Sequence, residues 1–301
     1  MSGEDTKAVP KGISGGISGG ISGGISGRKL LSQPEWYVAL GDLLSLAGSP
    51  DFPDALASTV RSLTQFDYTV TFAYNGPDTP VCLHHTFQPK QFEIHVTEYE
   101  IGPYLLDPFY KASVNGLRSG LYRLAELAPD QFYKSEYYRS YYVQTGPVDE
   151  IAFFIPGNRN WTIVTSLMRA PSQPAFSAHD LRTLRCIEPL LRKIVEAHWQ
   201  ADDRLKGVNS AQDEKEVLRR TVQDALRHWG MPALTPREME VVGLVLEGHS
   251  SESISNILGI SAGTVRIHRK NIYAKMRISS QRELFAIFMK SPMMGVKSPQ
   301  P

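Results

Sequence analysis

Three closely spaced helix starts between residues 234 and 287 constrain the fold of this chain more than any other feature. Thr235 precedes a proline and is followed three residues later by Glu238, the pattern of a capping box. Further caps and helix stops are Gly248, Ser250 or Ser251, Gly259 and Ser261. The turn between the second and third helices is as short as the turn of a helix-turn-helix pair. We therefore predict a compact helical domain at this end of the chain.

The third predicted helix is amphipathic and strongly basic. Its expected inward residues are Val265, Ile272 and Met276, and its outer cations are Arg266, Arg269, Lys270, Lys275 and Arg277. No acidic residue occurs between Val265 and Arg282. Five cations on one short helix repel each other, and a DNA phosphate backbone would relieve that repulsion through counterion release. The pattern therefore predicts a DNA-binding helix rather than a merely solvated basic face.

Residues 234–288 resemble the C-terminal domain of the LuxR/GerE-type regulators. The motif residues that carry this resemblance are Leu234, Thr235, Arg237 and Glu238, then Gly248-His249-Ser250, then Thr264, Val265, Arg266, His268, Asn271, Ile272, Lys275 and Met276. The family often has Asn-Lys after the serine of the second helix, where this chain has Ser251-Glu252. The acid argues against a phosphate contact from that helix.

The resemblance implies a four-helix domain whose third helix enters the major groove of double-stranded DNA. By that carry-over the base contacts come from Arg266, Ile267 and Lys270, and the phosphate contacts from Thr264, Arg269 and Lys275. An arginine can bond guanine O6 and N7, and an isoleucine can touch a thymine methyl group. One helix reads few base pairs, so we expect a homodimer on two half-sites. An activator would also contact RNA polymerase.

Charge and composition divide the chain of 301 residues into two kinds of domain. Residues 234–301 contain nine Lys or Arg and five acidic residues, a net charge of +4, whereas the rest of the chain carries −3. We expect a flexible GISG-repeat leader (1–33), a sensing domain (34–199), a linker with an amphipathic helix (200–233), the DNA-binding domain (234–290) and a flexible tail (291–301). Two cysteines, no signal peptide and no long apolar run predict a cytoplasmic protein without a membrane span.

Residues 34–199 have the pattern of one α/β (α+β) domain resembling GAF and PAS sensors, with an antiparallel sheet of about five strands. The predicted helices are 34–48, 52–65, 89–117 (broken at Gly102-Pro103), 128–145 and 177–199, and the predicted strands are 67–76, 81–87, 120–124, 149–157 and 161–170. The expected fold class is therefore this α/β domain followed by a small all-α domain.

Tyrosines are concentrated in the middle of the sensing domain. Nine of the 13 tyrosines lie between Tyr99 and Tyr142, and helical spacing pairs Tyr137 with Tyr141 and Tyr138 with Tyr142. Such a helix can pack its rings with the hydroxyls in water, or the rings can surround a small-molecule effector. For the second case the candidate ligand-binding residues are Tyr104, Asp107, Tyr110, Tyr138 and Tyr142.

The class of effector stays open at this stage. Asp107, Asp149 or Glu150 would supply a negative pole, which with aromatic rings suits a cation. An acyl-homoserine lactone, which some LuxR-type regulators bind, is also considered because Asp107-Pro108 matches their Asp-Pro. Those regulators also have a Trp and a Tyr about ten residues before the Asp-Pro, whereas this chain has Tyr99 and Tyr104 there without a Trp.

Three other functions compete with ligand sensing. The N-terminal domain could serve only dimerisation or partner binding, it could be a degenerate phosphorylated receiver, or it could be an enzyme. The sequence contains no convergent set of nucleophile, base and oxyanion groups, and no phosphate-binding glycine loop. Cys82 and His84 share a predicted strand face, but two potential ligands do not make a metal site. We therefore expect no catalytic residue, no metal and no cofactor.

Overall fold

A computed structural model describes residues 31–76, 78–143, 148–157, 161–200, 202–205, 220 and 233–290. The GISG repeats and the tail after residue 290 lie outside the described residues. The same is true of the amphipathic linker helix expected over residues 214–229, except for residue 220.

A five-stranded antiparallel sheet forms the centre of the N-terminal domain. Its strands are β1 (Tyr68–Tyr74), β2 (Val81–His85), β3 (Gly120–Arg123), β4 (Asp149–Pro156) and β5 (Thr162–Arg169). They pair in the order β2-β1-β5-β4-β3. The β4–β5 hairpin is paired along its whole length, from Asp149 opposite Arg169 to Pro156 opposite Thr162. The predicted antiparallel sheet of about five strands is confirmed.

Both faces of the sheet are buried, because each strand places alternate side chains on opposite sides. Ile151, Phe153 and Ile155 pack with three helices on one face: α1 (Pro34–Ser45), α2 (Phe52–Arg61) and, beyond β5, the long helix Ala178–Trp199. Ala152 and Phe154, on the other face, pack with the tyrosine-rich region between residues 87 and 142. The tyrosines therefore cover one whole side of the sheet.

The tyrosine-rich region consists of short helical pieces. Their bounds are Pro89–Phe92, a π-helix at Glu93–Glu98, Tyr99–Ile101, a 3₁₀ helix at Pro103–Leu106, α3 (Pro108–Val114), Leu124–Leu127, a 3₁₀ helix at Phe132–Lys134 and a π-helix at Tyr138–Tyr142. The break at Gly102-Pro103 is confirmed. The single helix predicted over 128–145 is wrong: Ala128 is extended, as the residue before a proline usually is, and Ser135 is extended as well.

The C-terminal domain is a four-helix unit, as the resemblance implied. Its helices follow α4 (Ala178–Trp199) and a 3₁₀ turn at Asp203–Leu205, and they are α5 (Pro236–Glu247), α6 (Ser251–Leu258), α7 (Ala262–Met276) and α8 (Gln281–Met289). Thr235 and Glu238 form the predicted capping box. The predicted core residues Val265, Ile272 and Met276 are at most 1% exposed. No helix within the described residues is both long enough and apolar enough to span a bilayer.

A buried arginine joins the end of β5 to the start of α4. Arg169 donates hydrogen bonds to the backbone oxygens of Gln65, Pro174 and Ala175, and its Nη2 lies 3.3 Å from Asp180 Oδ2. The arginine side chain is 7% exposed. Asp180 also completes the capping box of α4 with Ser177, so one ion pair fixes the helix against the sheet.

We predict that Arg169→Met lowers the free energy of unfolding by roughly 3–5 kcal/mol, because it leaves a partly buried Asp180 and three carbonyl groups without their partner. Denaturant unfolding followed by circular dichroism measures this change. Arg185→Met is the control, since the Arg185–Glu126 pair is exposed and we expect its loss to cost about 0–1 kcal/mol. Equal losses in the two variants would contradict the structural role of Arg169.

Candidate DNA-binding surface and effector site

Helix α7 presents one polar face and anchors the other. Ser261 caps the first turn of α7 by accepting the N–H of Thr264. Gly259 ends α6 in the left-handed conformation, which allows the tight turn between α6 and α7. Buried Val265, Ile272 and Met276 hold the helix against α5 and α6. The orientation of the outer face is therefore fixed by packing.

Most of the predicted DNA contacts lie on this outer face. Arg266, Ile267 and Lys270 are exposed, whereas Thr264, Arg269 and Lys275 are half-buried. Ile267 is 61% exposed, an unusual exposure for an isoleucine on a basic helix. The predicted residues thus share one surface, which can offer hydrogen-bond donors and one apolar contact to a groove.

Two cations of this surface have acidic partners that the sequence pattern did not reveal. Arg266 Nη2 lies 2.6 Å from Glu252 Oε1, with both side chains exposed. Lys275 Nζ lies 2.7 Å from Glu238 Oε2, and the Glu238 side chain is only 5% exposed. Lys275 is therefore also part of the domain's internal structure. The carboxylates lie 14 and 37 residues away in sequence, so no helical spacing could have predicted the pairs.

A chain of hydrogen bonds between two tyrosines and one carboxylate joins β1 to the tyrosine-rich region. The hydroxyls of Tyr74 and Tyr99 are 2.9 Å apart, and the Tyr99 hydroxyl donates to Asp107 Oδ2 at 2.7 Å. Asp107 also caps α3 by accepting the Phe109 N–H. Burial raises the pKa of Asp107 to about 6, although these hydrogen bonds oppose the shift.

A second buried carboxylate belongs to β4. Glu150 is 5% exposed and accepts a short hydrogen bond from the Tyr142 hydroxyl. Burial, and next the charge of Asp107, raise the pKa of Glu150 to about 8. The third acid considered from the sequence, Asp149, is bound by Arg123 at 2.6 Å and is excluded as a free negative pole.

The tyrosine rings pack closely on one another. The predicted pairs Tyr137–Tyr141 and Tyr138–Tyr142 are both stacked, with centroids 5.5 and 5.3 Å apart. The rings of Tyr104 and Tyr110 meet edge to face at 4.9 Å. The five predicted ligand residues thus lie in one cluster, although Tyr138 is at its outer end against Phe132 and Tyr133. The prediction missed Tyr99 and Tyr137, whose burial depends on the whole sheet.

Among the described residues, the rings of the tyrosine cluster contact one another directly. Two cavities of about 20 and 10 Å³ lie on the opposite face of the sheet, where residues of α2, α4 and the sheet line them. Each holds at most about one water molecule. An effector at the tyrosine cluster would have to separate rings. The π-helices at 93–98 and 138–142 flank the cluster, and π-helical turns occur frequently at functional sites.

The segment that precedes the π-helix at Tyr138–Tyr142 also contacts the helix-turn-helix. Gln131 N–H donates to Gly248 O at 3.0 Å, and Asp130 Oδ1 accepts the Ser250 N–H at 3.0 Å. A Cβ on Gly248 would come within 3.0 Å of Phe132 Cα. Lys111 Nζ and Glu247 Oε1, 3.1 Å apart and mostly buried, add an ion pair. The start of α6 is therefore held by the N-terminal domain.

Comparison with known proteins identifies the family. The family model for bacterial regulatory proteins of the luxR family (GerE) matches residues 232–288. An HTH-type transcriptional regulator from the exeN 3' region of Aeromonas salmonicida is 33% identical over 183 residues, which cover 61% of this chain and 93% of that protein. The chain belongs to the luxR family. It is a DNA-binding transcription regulator and not an enzyme, as the sequence predicted.

Other similarities have lower sequence identity. A monoamine regulon transcriptional regulator of Klebsiella aerogenes is 27% identical over 49% of this chain and 53% of its own length. Among solved structures, the ligand-binding domain of VqsR from Pseudomonas aeruginosa is 25% identical, with a TM-score of 0.49 over 55% of this chain and 97% of that one. SdiA of Escherichia coli is 16% identical, with a TM-score of 0.39 over 86% of this chain and 99% of that one.

We predict that Glu150→Gln stabilises the regulator at pH 8 and has little effect at pH 4. The folded-state pKa of Glu150 is raised, so its stabilisation is complete below the unfolded pKa and is lost as the pH rises toward about 8. Glutamine still accepts from Tyr142 but carries no charge beside Asp107 and Asp149. We expect a gain on the order of 2 kcal/mol at pH 8, or roughly 4–8 °C in Tm.

Thermal unfolding from pH 4 to pH 9 measures this effect. The exposed carboxylate of Glu126 provides the control variant, Glu126→Gln, whose pH profile should follow the wild type. A Glu150→Gln protein that is less stable than the wild type at pH 8 would show that the ionised carboxylate is favourable in the fold.

Proposed function

We propose that the chain is a homodimeric regulator whose α7 reads DNA bases with Arg266, Ile267 and Lys270. Thr264, Arg269 and Lys275 then contact phosphates. The observation that carries this assignment is the outer face of α7, where exposed cations surround an exposed isoleucine on a helix anchored by packing. A guanidinium group can donate two hydrogen bonds to the edge of one guanine, and an apolar side chain can contact a thymine methyl group.

Release of Arg266 from Glu252 does not oppose this role. Both side chains are about two-thirds exposed, and exposed ion pairs contribute only about 0–1 kcal/mol. Glu252 would instead keep Arg266 extended along the helix until a base replaces the carboxylate. It also places a negative charge where a wrongly positioned phosphate would be repelled.

We further propose that a small-molecule effector binds at the tyrosine cluster and thereby changes DNA binding. The supporting observation is that residues 130–142 take part in two contacts. Tyr142 and Tyr137 belong to the cluster, whereas Asp130 and Gln131 hold the start of α6. Rings that separate around an effector would displace this segment, and the two DNA-binding domains of a dimer would change their spacing.

A ligand-free dimerisation or partner-binding domain is the second candidate. The direct ring contacts among the described tyrosines favour it, because a preformed binding site usually leaves a cavity of several hundred Å³. Native mass spectrometry of the protein purified from its own host separates the two. A dimer with a co-purified small molecule is expected for a sensor, and an empty dimer supports the second candidate.

We predict that Arg266→Ala weakens binding to the preferred operator by roughly 1–3 kcal/mol and relaxes specificity at one base pair. Selection from random DNA defines the operator, and fluorescence anisotropy then compares operator with scrambled DNA. Arg269→Ala should weaken both DNAs alike and reduce the salt dependence. Lys275 is less suitable for this comparison, because its removal also leaves Glu238 unpaired.

Arg282→Ala serves as the control, since this exposed cation lies on α8 away from the proposed reading face. The base-reading role of Arg266 is refuted if Arg266→Ala lowers the affinity for operator and scrambled DNA by the same factor.

We also predict that Asp130→Ala loosens the contact between the two domains. The amides of Gln131 and Ser250 are hydrogen-bonded across it, so their hydrogen exchange should accelerate, by about tenfold for a bond to a charged acceptor. Hydrogen exchange followed by mass spectrometry or NMR measures both amides. Asp42→Ala, at an exposed position on α1, is the control. Unchanged exchange at both amides would refute the contact.

A further inference from the structure

Two carboxylates of the tyrosine cluster, the buried Glu150 and the half-buried Asp107, have no cation beside them among the described residues. Asp107 is bound by the Tyr99 hydroxyl and the Phe109 amide, and Glu150 by the Tyr142 hydroxyl. In the described part of the chain, no Lys, Arg or His forms an ion pair with either acid. Burying unpaired carboxylates is unfavourable, so the site must either keep a proton or accept a cation from outside.

A third polar group in the same place also lacks a partner. Tyr137 is only 2% exposed, and its hydroxyl makes no hydrogen bond with any described residue. Its position is close enough for the charges of Asp107 and Glu150 to act on it. The hydroxyl therefore adds an available oxygen acceptor next to the two carboxylates.

Aromatic rings surround these three groups. The rings of Tyr74, Tyr99, Tyr137 and Tyr142 belong to the same buried cluster. Tyrosine faces attract cations, and this attraction becomes stronger when water is excluded. An ammonium group brings three donors, which matches one oxygen from each carboxylate and the Tyr137 hydroxyl. A neutral amide would match one carboxylate and leave the other uncompensated.

We propose that the tyrosine cluster binds a protonated amine with a small aromatic or apolar body, and that Asp107, Glu150 and Tyr137 receive its ammonium group. This inference rests on the proposed function, because it names the class of effector for the same site. Binding provides a fixed cation beside carboxylates that have none among the described residues. Separation of the stacked pairs at the 138–142 π-helix makes room for the body of the ligand.

The test compares three probes of the same shape on the full-length protein: phenethylamine, neutral 2-phenylethanol and anionic phenylacetate. Isothermal titration calorimetry at pH 8 measures binding, and thermal shift gives an independent readout. We expect the amine to bind at least tenfold more tightly than the alcohol, and the anion not to bind. Equal affinity for amine and alcohol, or no binding of the amine at millimolar concentration, would overturn the assignment.

Charge-removing variants then locate the ammonium group. Glu150→Gln and Asp107→Asn keep the shape and the hydrogen-bond acceptor, and each should lower the affinity for phenethylamine at least tenfold while 2-phenylethanol is unaffected. Glu126→Gln, an exposed acid outside the cluster, should bind as the wild type does. If Asp107→Asn does not fold, because Asp107 also caps α3, the Glu150→Gln result decides alone.

The two proposals fail in different ways. Binding of 2-phenylethanol as tight as that of the amine, with Tyr137→Phe or Glu150→Gln unchanged, refutes the cation site and leaves a small-molecule sensor. A co-purified neutral molecule found by native mass spectrometry gives the same result. No bound probe, together with an empty dimer from the native host, refutes both.

Discussion

The N-terminal domain depends on one constraint, which is that both faces of its antiparallel sheet are covered by protein. On one face three helices bury an almost entirely apolar layer. On the other face, strand alternation places Glu150 in the same layer as Ala152 and Phe154. A carboxylate in that position meets no water, so its neighbours must provide hydrogen bonds. The hydroxyl of Tyr142 provides one such bond, as the hydroxyl of Tyr99 does for Asp107, and a phenylalanine or leucine at either position would leave the carboxylate without it.

The C-terminal domain could be predicted from sequence because its determinants are local. The cap at Thr235, the stops at Gly248 and Gly259 and the apolar spacing of α7 all act within one or two helical turns. The stacking of Tyr137 on Tyr141 was predictable for the same reason. These interactions are encoded within a few residues, so no knowledge of the sheet was needed to place them.

Features set by contacts distant in sequence could not be predicted in the same way. The helix expected over 128–145 is interrupted because Phe132 packs into the cluster and Gln131 bonds Gly248, a residue more than 100 positions away. Lys275 looked like a free cation, but Glu238 lies beside it through the packing of α7 on α5. The sequence also left three acids as equal candidates for a negative pole, and only the sheet register shows that Arg123 neutralises Asp149.

The most consequential of these distant contacts joins the N-terminal domain to the DNA-binding domain. Asp130 accepts the amide of Ser250, and Ser250 is itself the N-cap of α6, the helix that packs on α7. A movement of residues 130–142 therefore acts on the helix-turn-helix at the N-terminus of α6, the first of its two helices. The outer face of α7 stays exposed while this contact exists. This contact therefore sets the position of the DNA-binding domain without covering the exposed face of α7.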